Sequence, residues 1–217
     1  VIPEAYAKFV YIETNATEVA KNQDGKGYLT DGNWIFGATR TKKTDNLAVS
    51  GAKGEFKGSA PCPVDFRTIE SEDGSTTYKA VSFNYLSASN AKNSQLYDYR
   101  EMITEFIAPD CKSITGEGSF INCVNLTKVV LNADVTTLHA NLFGGCSSLV
   151  EFFPRVIGAT TLYSGLFSKC SNLEGSFDFP NLVAIPPSLF SSCGKIQEVK
   201  AEKATSVDQD SFHSCSS

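Results

Sequence analysis

Apolar and polar positions run along this chain in two rhythms that change near residue 100. Before it, short β-type runs sit between turn signals: Phe9–Ile12, Trp34–Phe36, Leu47–Val49, and Phe66–Ile69 facing Thr77–Tyr85 across Asp73-Gly74. Val81, Phe83 and Tyr85 alternate, so one face of that last strand is apolar, and the pair reads as a hairpin. Asp24-Gly25 and Asp31-Gly32 mark further turns. Ser87 to Ser94, rich in Ser, Ala and Asn, reads as the loop that connects the two regions.

After residue 100 a longer period takes over. Five cysteines share one frame: Phe120-Ile-Asn-Cys123, Phe143-Gly-Gly-Cys146, Phe167-Ser-Lys-Cys170, Phe190-Ser-Ser-Cys193 and Phe212-His-Ser-Cys215. Three residues after the cysteine stands an aliphatic (Leu126, Leu149, Leu173, Ile196), then Val129, Phe152 or Val199, with Leu131 and Ala201 alternating behind. A second aliphatic lies five residues before each Phe: Leu138, Leu162, Ile185, Val207. An earlier unit runs from Ile103 through Ile114 to Phe120. The period-two stretch predicts a short strand, and a repeat of 22 to 24 residues predicts a leucine-rich-repeat solenoid with parallel strands and ladders of Leu, Phe and Cys. One unit departs from the frame: Ser176 falls where Val or Phe is expected, and Gly175 suggests a bulge that returns Phe177 and Phe179 to the interior.

These units resemble the BspA-type leucine-rich repeats of bacterial and protist surface proteins, which combine an F-x-x-C-x-x-L stretch with a short strand and an aliphatic-rich return. The resemblance covers roughly residues 100–217. It implies an α/β-type repeat solenoid of about five coils, with short parallel strands and irregular or short helical returns. It also implies export and a bias toward adhesion, but no catalytic residues, because the family motif contains none. Residues 1–99 are left as a β-rich N-terminal cap or a small separate domain. Val81 precedes Ile103 by about one period, which favours a sheet continuous with the coils.

With 217 residues, 41% hydrophobic and 20% charged, the chain has material for a large core and is not disordered. A formal charge of -5 argues against a dedicated nucleic-acid binder. No apolar run approaches the roughly 18–20 residues that cross a bilayer. The start, Val1-Ile-Pro-Glu-Ala-Tyr6, reads as a mature or trimmed chain. Ser216-Ser217 ends the sequence inside a repeating unit, and an uncapped last coil is expected to promote end-to-end self-association.

The chemistry-bearing residues are few. Each ladder cysteine is alone in its coil, without the close pairs of a zinc site, so a structural role as a small hydrophobe is expected and no metal or cofactor is assigned. Cys62 and Cys111 lie outside the ladder and are candidates for a disulfide in an exported protein. His213 and Cys215 are two residues apart and face one side of an extended segment, but no third group orients them. Glu18, Asp24 and Asp31 lack the spacing of a calcium loop. Asn15-Ala-Thr17 and Asn125-Leu-Thr127 fit the N-glycosylation pattern.

The remaining candidate is the outward face of the parallel strands. Alternation places Lys128, Val130, Glu151, Phe153, Glu198 and Lys200 there, with Glu174 and Asp178 beside them in the irregular unit. The sequence therefore points to a secreted or cell-surface, non-enzymatic repeat protein that binds a protein or glycoconjugate partner. Two alternatives stand beside it: a structural spacer or surface-layer component, and a carbohydrate-binding N-terminal module in which Trp34 stacks on sugar.

Overall fold

The computed structural model describes residues 8–20, 22–85 and 96–215, so the expected connecting loop and both chain ends lie outside the described residues. In chain order the elements are β1 (Phe9–Glu13), α1 (Ala16–Ala20), β2 (Gly25–Thr30), β3 (Trp34–Arg40), β4 (Asn46–Phe56), β5 (Cys62–Asp65), β6 (Ile69–Ser71) and β7 (Thr77–Asn84). A 3-10 turn (Tyr97–Met102) then leads to β8 (Ile103–Ile107), β9 (Ser113–Thr115), β10 (Lys128–Val130), β11 (Thr137–Leu138) and β12 (Glu151–Phe153). The chain finishes with β13 (Gly175–Asp178), β14 (Ala184–Ile185), β15 (Ile196–Lys200) and β16 (Ser206–Val207).

The repeats contribute a strand after the cysteine, and all but one add a second, two- or three-residue strand before the next Phe, the stretch between β12 and Phe167 having none among the described residues. The first set forms a parallel sheet in the order β12-β10-β8-β5, with Val129 opposite Phe106 and Phe152. The second set extends an eight-stranded sheet, β11-β9-β7-β4-β3-β2-β1-β6, whose early members are antiparallel hairpins. The sheet thus crosses residue 99 without interruption. The expected hairpin is present, with Ile69 opposite Tyr78.

Pairing across this boundary is parallel. Phe83 pairs with Ile114, and Ile103 pairs with Cys62. The continuity expected from the one-period spacing of Val81 and Ile103 is present in the β7–β9 pairing, although Val81 and Ile103 themselves lie on β7 and β8, in different ladders. Cys62–Asp65 is the strand of an additional unit whose return is lengthened by the β6–β7 hairpin, and that insertion hides its period. Of the irregular or short helical returns, the chain adopts the irregular form: among the described residues α1 is the α-helix, and it lies before the repeats.

Two left-handed positions per coil explain why the returns are not helical. The residue before each ladder cysteine has positive φ: Asn122, Gly145, Lys169, Ser192 and Ser214. So does the residue two before each Phe: Gly118, Asn141, Gly165, Ser188 and Asp210. Single left-handed residues end any helical run. At the first set of positions they also aim an N–H at the next coil, as in Asn122 to Gly144 O (2.8 Å) and Lys169 to Ser191 O (2.7 Å).

The core is continuous. Phe120, Phe143, Phe167 and Phe190 stack in sequence, with ring centroids 5.3, 5.9 and 5.4 Å apart. At the other end Phe9 packs on Phe36 and Phe66, these two pack on Phe83, Phe66 also meets Phe106, and Trp34 packs on Phe36 and Phe56. Trp34 is fully buried, which rules it out as the sugar-stacking platform of the carbohydrate-binding alternative.

Candidate functional site

The ladder cysteines are built as donors. Cys146, Cys170, Cys193 and Cys215 each point Sγ at the carbonyl of the Phe one coil back, at 3.1, 3.1, 3.0 and 2.8 Å. A thiol donates only when protonated, and burial holds it so. It pushes the Cys193 and Cys111 thiols up to about 12, and Cys170 and Cys146 well above the ordinary value, the neighbouring ladder thiols adding to the effect. Cys62 and Cys111 are both free, so the candidate disulfide is not formed. His213 directs Nδ1 to Ser214 Oγ at 3.1 Å rather than to Cys215, whose thiol is engaged with Phe190 O. Asp31 accepts from the N–H groups of Asn33 and Trp34 within its own turn, and Asp24 accepts from that of Lys42 across the neighbouring loop.

The six residues expected on the outward strand face fall into two groups. Lys128 and Val130 on β10 stand opposite Glu151 and Phe153 on β12, and opposite Glu105 and Ile107 on β8. Lys128 pairs with Glu151 at 3.1 Å, and Phe153 is 39% exposed. Glu198 and Lys200 are on β15, which pairs with β13 in a separate sheet, where Asp178 lies opposite Lys200. They form their own ion pair at 3.5 Å.

The separation coincides with a change of register at Pro154. Past the end of each strand the chain donates one further N–H to the next coil: Phe66 to Ile107 O, Ala108 to Val130 O, Leu131 to Phe153 O and Phe179 to Lys200 O, at 2.7–2.8 Å. The corresponding residue after β12 is Pro154, which has no N–H to give. The pairing resumes two residues on, where Val156 bridges Asp178, the Asp178 N–H donates to Arg155 O at 2.9 Å and the Ile157 N–H donates to Asp178 O at 2.8 Å, and at this offset lies the side chain of Arg155. Its Nη1 donates to Glu174 O at 2.7 Å, and its guanidinium lies 5.3 Å from the Phe153 ring centre and 4.9 Å from that of Phe177. Gly175, at φ 96°, receives it closely: a Cβ there would lie 3.2 Å from the guanidinium carbon. The register shift at Gly175/Ser176 is the bulge expected from the sequence, and both Phe177 and Phe179 are buried behind it.

Beside this offset lies an open depression of about 590 Å³ lined by Ala133, Val135, Phe153, Pro154, Val156 and Gly158 together with the polar Asp134, Thr136 and Arg155. Val156 is 53% exposed on its wall. Sequence reasoning missed Arg155 and this depression. The available signal was the interval between Cys146 and Cys170, the longest in the ladder, together with a proline at a ladder-donor position.

The comparisons with known proteins agree with this construction. No curated protein matches the chain. A leucine rich cell surface protein from Faecalibacterium prausnitzii A2-165 superposes with a TM-score of 0.57 at 16% identity, covering 87% of this chain and 52% of its own. A leucine-rich repeat protein from Bacteroides ovatus ATCC 8483 gives 0.52 at 21% identity, covering 83% and 49%. The chain thus spans about half the length of these structures, and the likeness shows a leucine-rich-repeat fold. The BspA type leucine rich repeat region matches residues 68–217 in six copies, one more than the roughly five coils expected and beginning upstream of residue 100. This chain belongs to the BspA-type leucine-rich-repeat family.

Proposed function

We propose that the chain is a non-enzymatic binding module of a secreted or cell-surface bacterial protein, and that it engages a protein or glycoconjugate partner through the outward face of β10 and β12. In this reading the β-rich residues ahead of β5 act as a cap on a solenoid that begins upstream of residue 100. The observation that carries the reading is Phe153: a large aromatic held exposed on a hydrogen-bonded ladder, between Val130 and Arg155 and beside the Lys128–Glu151 ion pair. Aromatic and Arg side chains on a rigid surface bind with little ordering cost. Family membership and the likeness to a protein described as a leucine rich cell surface protein support the surface placement. The buried, protonated thiols support a non-enzymatic role, because the thiolate is the nucleophile.

The test is a screen of the purified chain against matrix proteins, mucins and a glycan array, beside a Phe153→Asp, Val130→Asp double variant and a milder Phe153→Ser variant. Saturable binding that both folded variants lose is the expected result. Binding that survives in them moves the site elsewhere on the molecule. A spacer role is the second reading, favoured by the mutual neutralisation of Lys128 with Glu151 and of Lys200 with Glu198. It gains if nothing in the screen binds.

A further inference from the structure

Most lysines in the described chain are occupied. Lys8, Lys57, Lys112, Lys128 and Lys200 pair with carboxylates, and Lys195 and Lys203 donate to Asn172 and Asn181. Among the described residues the ammonium groups of Lys26, Lys42, Lys43, Lys79 and Lys169 have neither kind of partner, and the first three converge. They line two adjoining depressions of about 300 and 350 Å³, which share Asn22, Gln23 and Lys42. Val19, Arg40 and Lys43 complete the first, and Asp24 and Lys26 the second.

The backbone holds this corner together. The connection from α1 to β2 is tied to the turn from β3 to β4, since the Lys42 N–H donates to Asp24 Oδ1 at 2.9 Å. Asn15 braces the same stretch, accepting from the Lys26 N–H at 2.6 Å and donating to Asp24 O at 3.0 Å. Four cations thus meet one carboxylate on the walls, and a main-chain donor already engages that carboxylate. Glu13 compensates Arg40 at 2.9 Å, which leaves three ammonium groups for a ligand. Asp45, in the same turn, is not on these walls; it acts on Tyr78, whose pKa burial raises and Asp45 raises further.

Two features set the chemistry and the length of that ligand. Val19 is the one apolar residue of the lining, so the apolar or aromatic anchor of a peptide has no seat there. The amides of Asn22 and Gln23, common to both depressions, can donate to or accept from hydroxyl groups. The positive region is also short. Beyond the Glu13–Arg40 pair the neighbouring depression is lined by Glu13, Glu72 and Asp73 with Tyr11, Ser71 and Tyr78, and the whole chain carries a formal charge of -5. A long polyanion or an anionic membrane therefore meets like charge, whereas a compact anion does not.

We propose that this corner binds a short anionic glycan segment, whose sulfate or carboxylate groups lie against Lys26, Lys42 and Lys43 and whose hydroxyls meet Asn22 and Gln23. The site is separate from the β10–β12 face and goes beyond the reading given for it.

The experiment is calorimetric titration of the 217-residue chain at about 0.05 M salt. The probes are a heparin-derived tetrasaccharide, a hyaluronan tetrasaccharide and maltotetraose, which are sulfated, carboxylate-only and neutral, and an acetylated tetra-aspartate amide. Saturable binding of an anionic sugar is expected, at least about tenfold tighter than of maltotetraose or the peptide, and weakening as salt rises to about 0.3 M. Binding of the heparin fragment alone assigns sulfate as the recognised group, and binding of both anionic sugars assigns the negative charge itself. The double variant Lys42→Gln, Lys43→Gln, at exposed positions, weakens binding about tenfold or more. The charge-matched double variant Lys169→Gln, Lys195→Gln leaves it unchanged.

Absence of saturable binding by both anionic sugars overturns the proposal, as do equal binding of maltotetraose or of the peptide, indifference to salt, and equal losses in the two double variants. A partner whose binding depends on Phe153, found together with silent sugar titrations, leaves the strand-face reading standing without this site. Sugar binding that depends on Lys42 and Lys43, with no partner for the strand face in the screen, does the reverse.

Discussion

At the scale of single residues, the cysteines were the legible feature, and their chemistry follows from burial. The frame Phe-x-x-Cys placed five of them on one line in advance. The acceptors, Phe120, Phe143, Phe167 and Phe190 O, were not legible, because each lies one coil back and more than 20 positions away in sequence. Protonated, buried thiols make stability depend on alkaline pH. Burial raises the Cys193 thiol from 9.0 to about 12 in the folded chain, so its contribution is complete below about 9 and is lost as pH climbs toward 12. Within that window each such thiol removes up to about 1.4 kcal/mol per pH unit. Cys193→Ala should therefore be less stable than the parent by about 1–2 kcal/mol near neutrality, but should lose less stability from about pH 9 to 11. Chemical denaturation at several pH values measures both. Parallel pH profiles for the two proteins would refute the linkage, since lysines and tyrosines titrate equally in each.

Among the elements, the strands were legible wherever period-two alternation was unbroken, and Gly175 disclosed its bulge because glycine beside a misplaced Ser176 has few other uses. Pairing across the first and second units was not, since a hairpin inserted between β5 and β7 removes the period that would reveal β5. The returns were also opaque: Asn122, Gly145, Lys169, Ser192 and Ser214 share no side-chain chemistry, only a backbone conformation. That conformation can be tested in both directions. At Gly145 a Cβ would run into the Asn122 side chain while φ stays at 76°, so Gly145→Ala should destabilise by about 1–3 kcal/mol. Lys169 holds φ 62° with a side chain exposed to solvent, and Lys169→Gly should be neutral or stabilising by up to about 1 kcal/mol despite the usual cost of glycine. Urea titrations of the two variants give the comparison, and equal destabilisation would mean the left-handed position is not what fixes the coil.

For the whole molecule, the two ends of the stack differ in a way that constrains assembly. The first coils are closed by the aromatic packing of Phe9, Trp34, Phe36 and Phe66. The last coil of the 217-residue chain leaves Val207 62% and Phe212 38% exposed, although their counterparts in earlier coils, Leu138 and Phe143, are wholly buried. Filament growth needs two complementary ends, and among the described residues the exposed Val207 and Phe212 belong to the last coil. The end-to-end association expected from the sequence should therefore stop at a tail-to-tail pair with two-fold symmetry. Sedimentation velocity across a concentration series should show a monomer–dimer equilibrium and no higher species. Val207→Lys, at the most exposed of these positions, should shift it to monomer without lowering the melting temperature. A strictly monomeric chain at high concentration would show that the exposed patch is too small to associate. Open-ended polymers would show instead that the N-terminal end offers a second apolar surface.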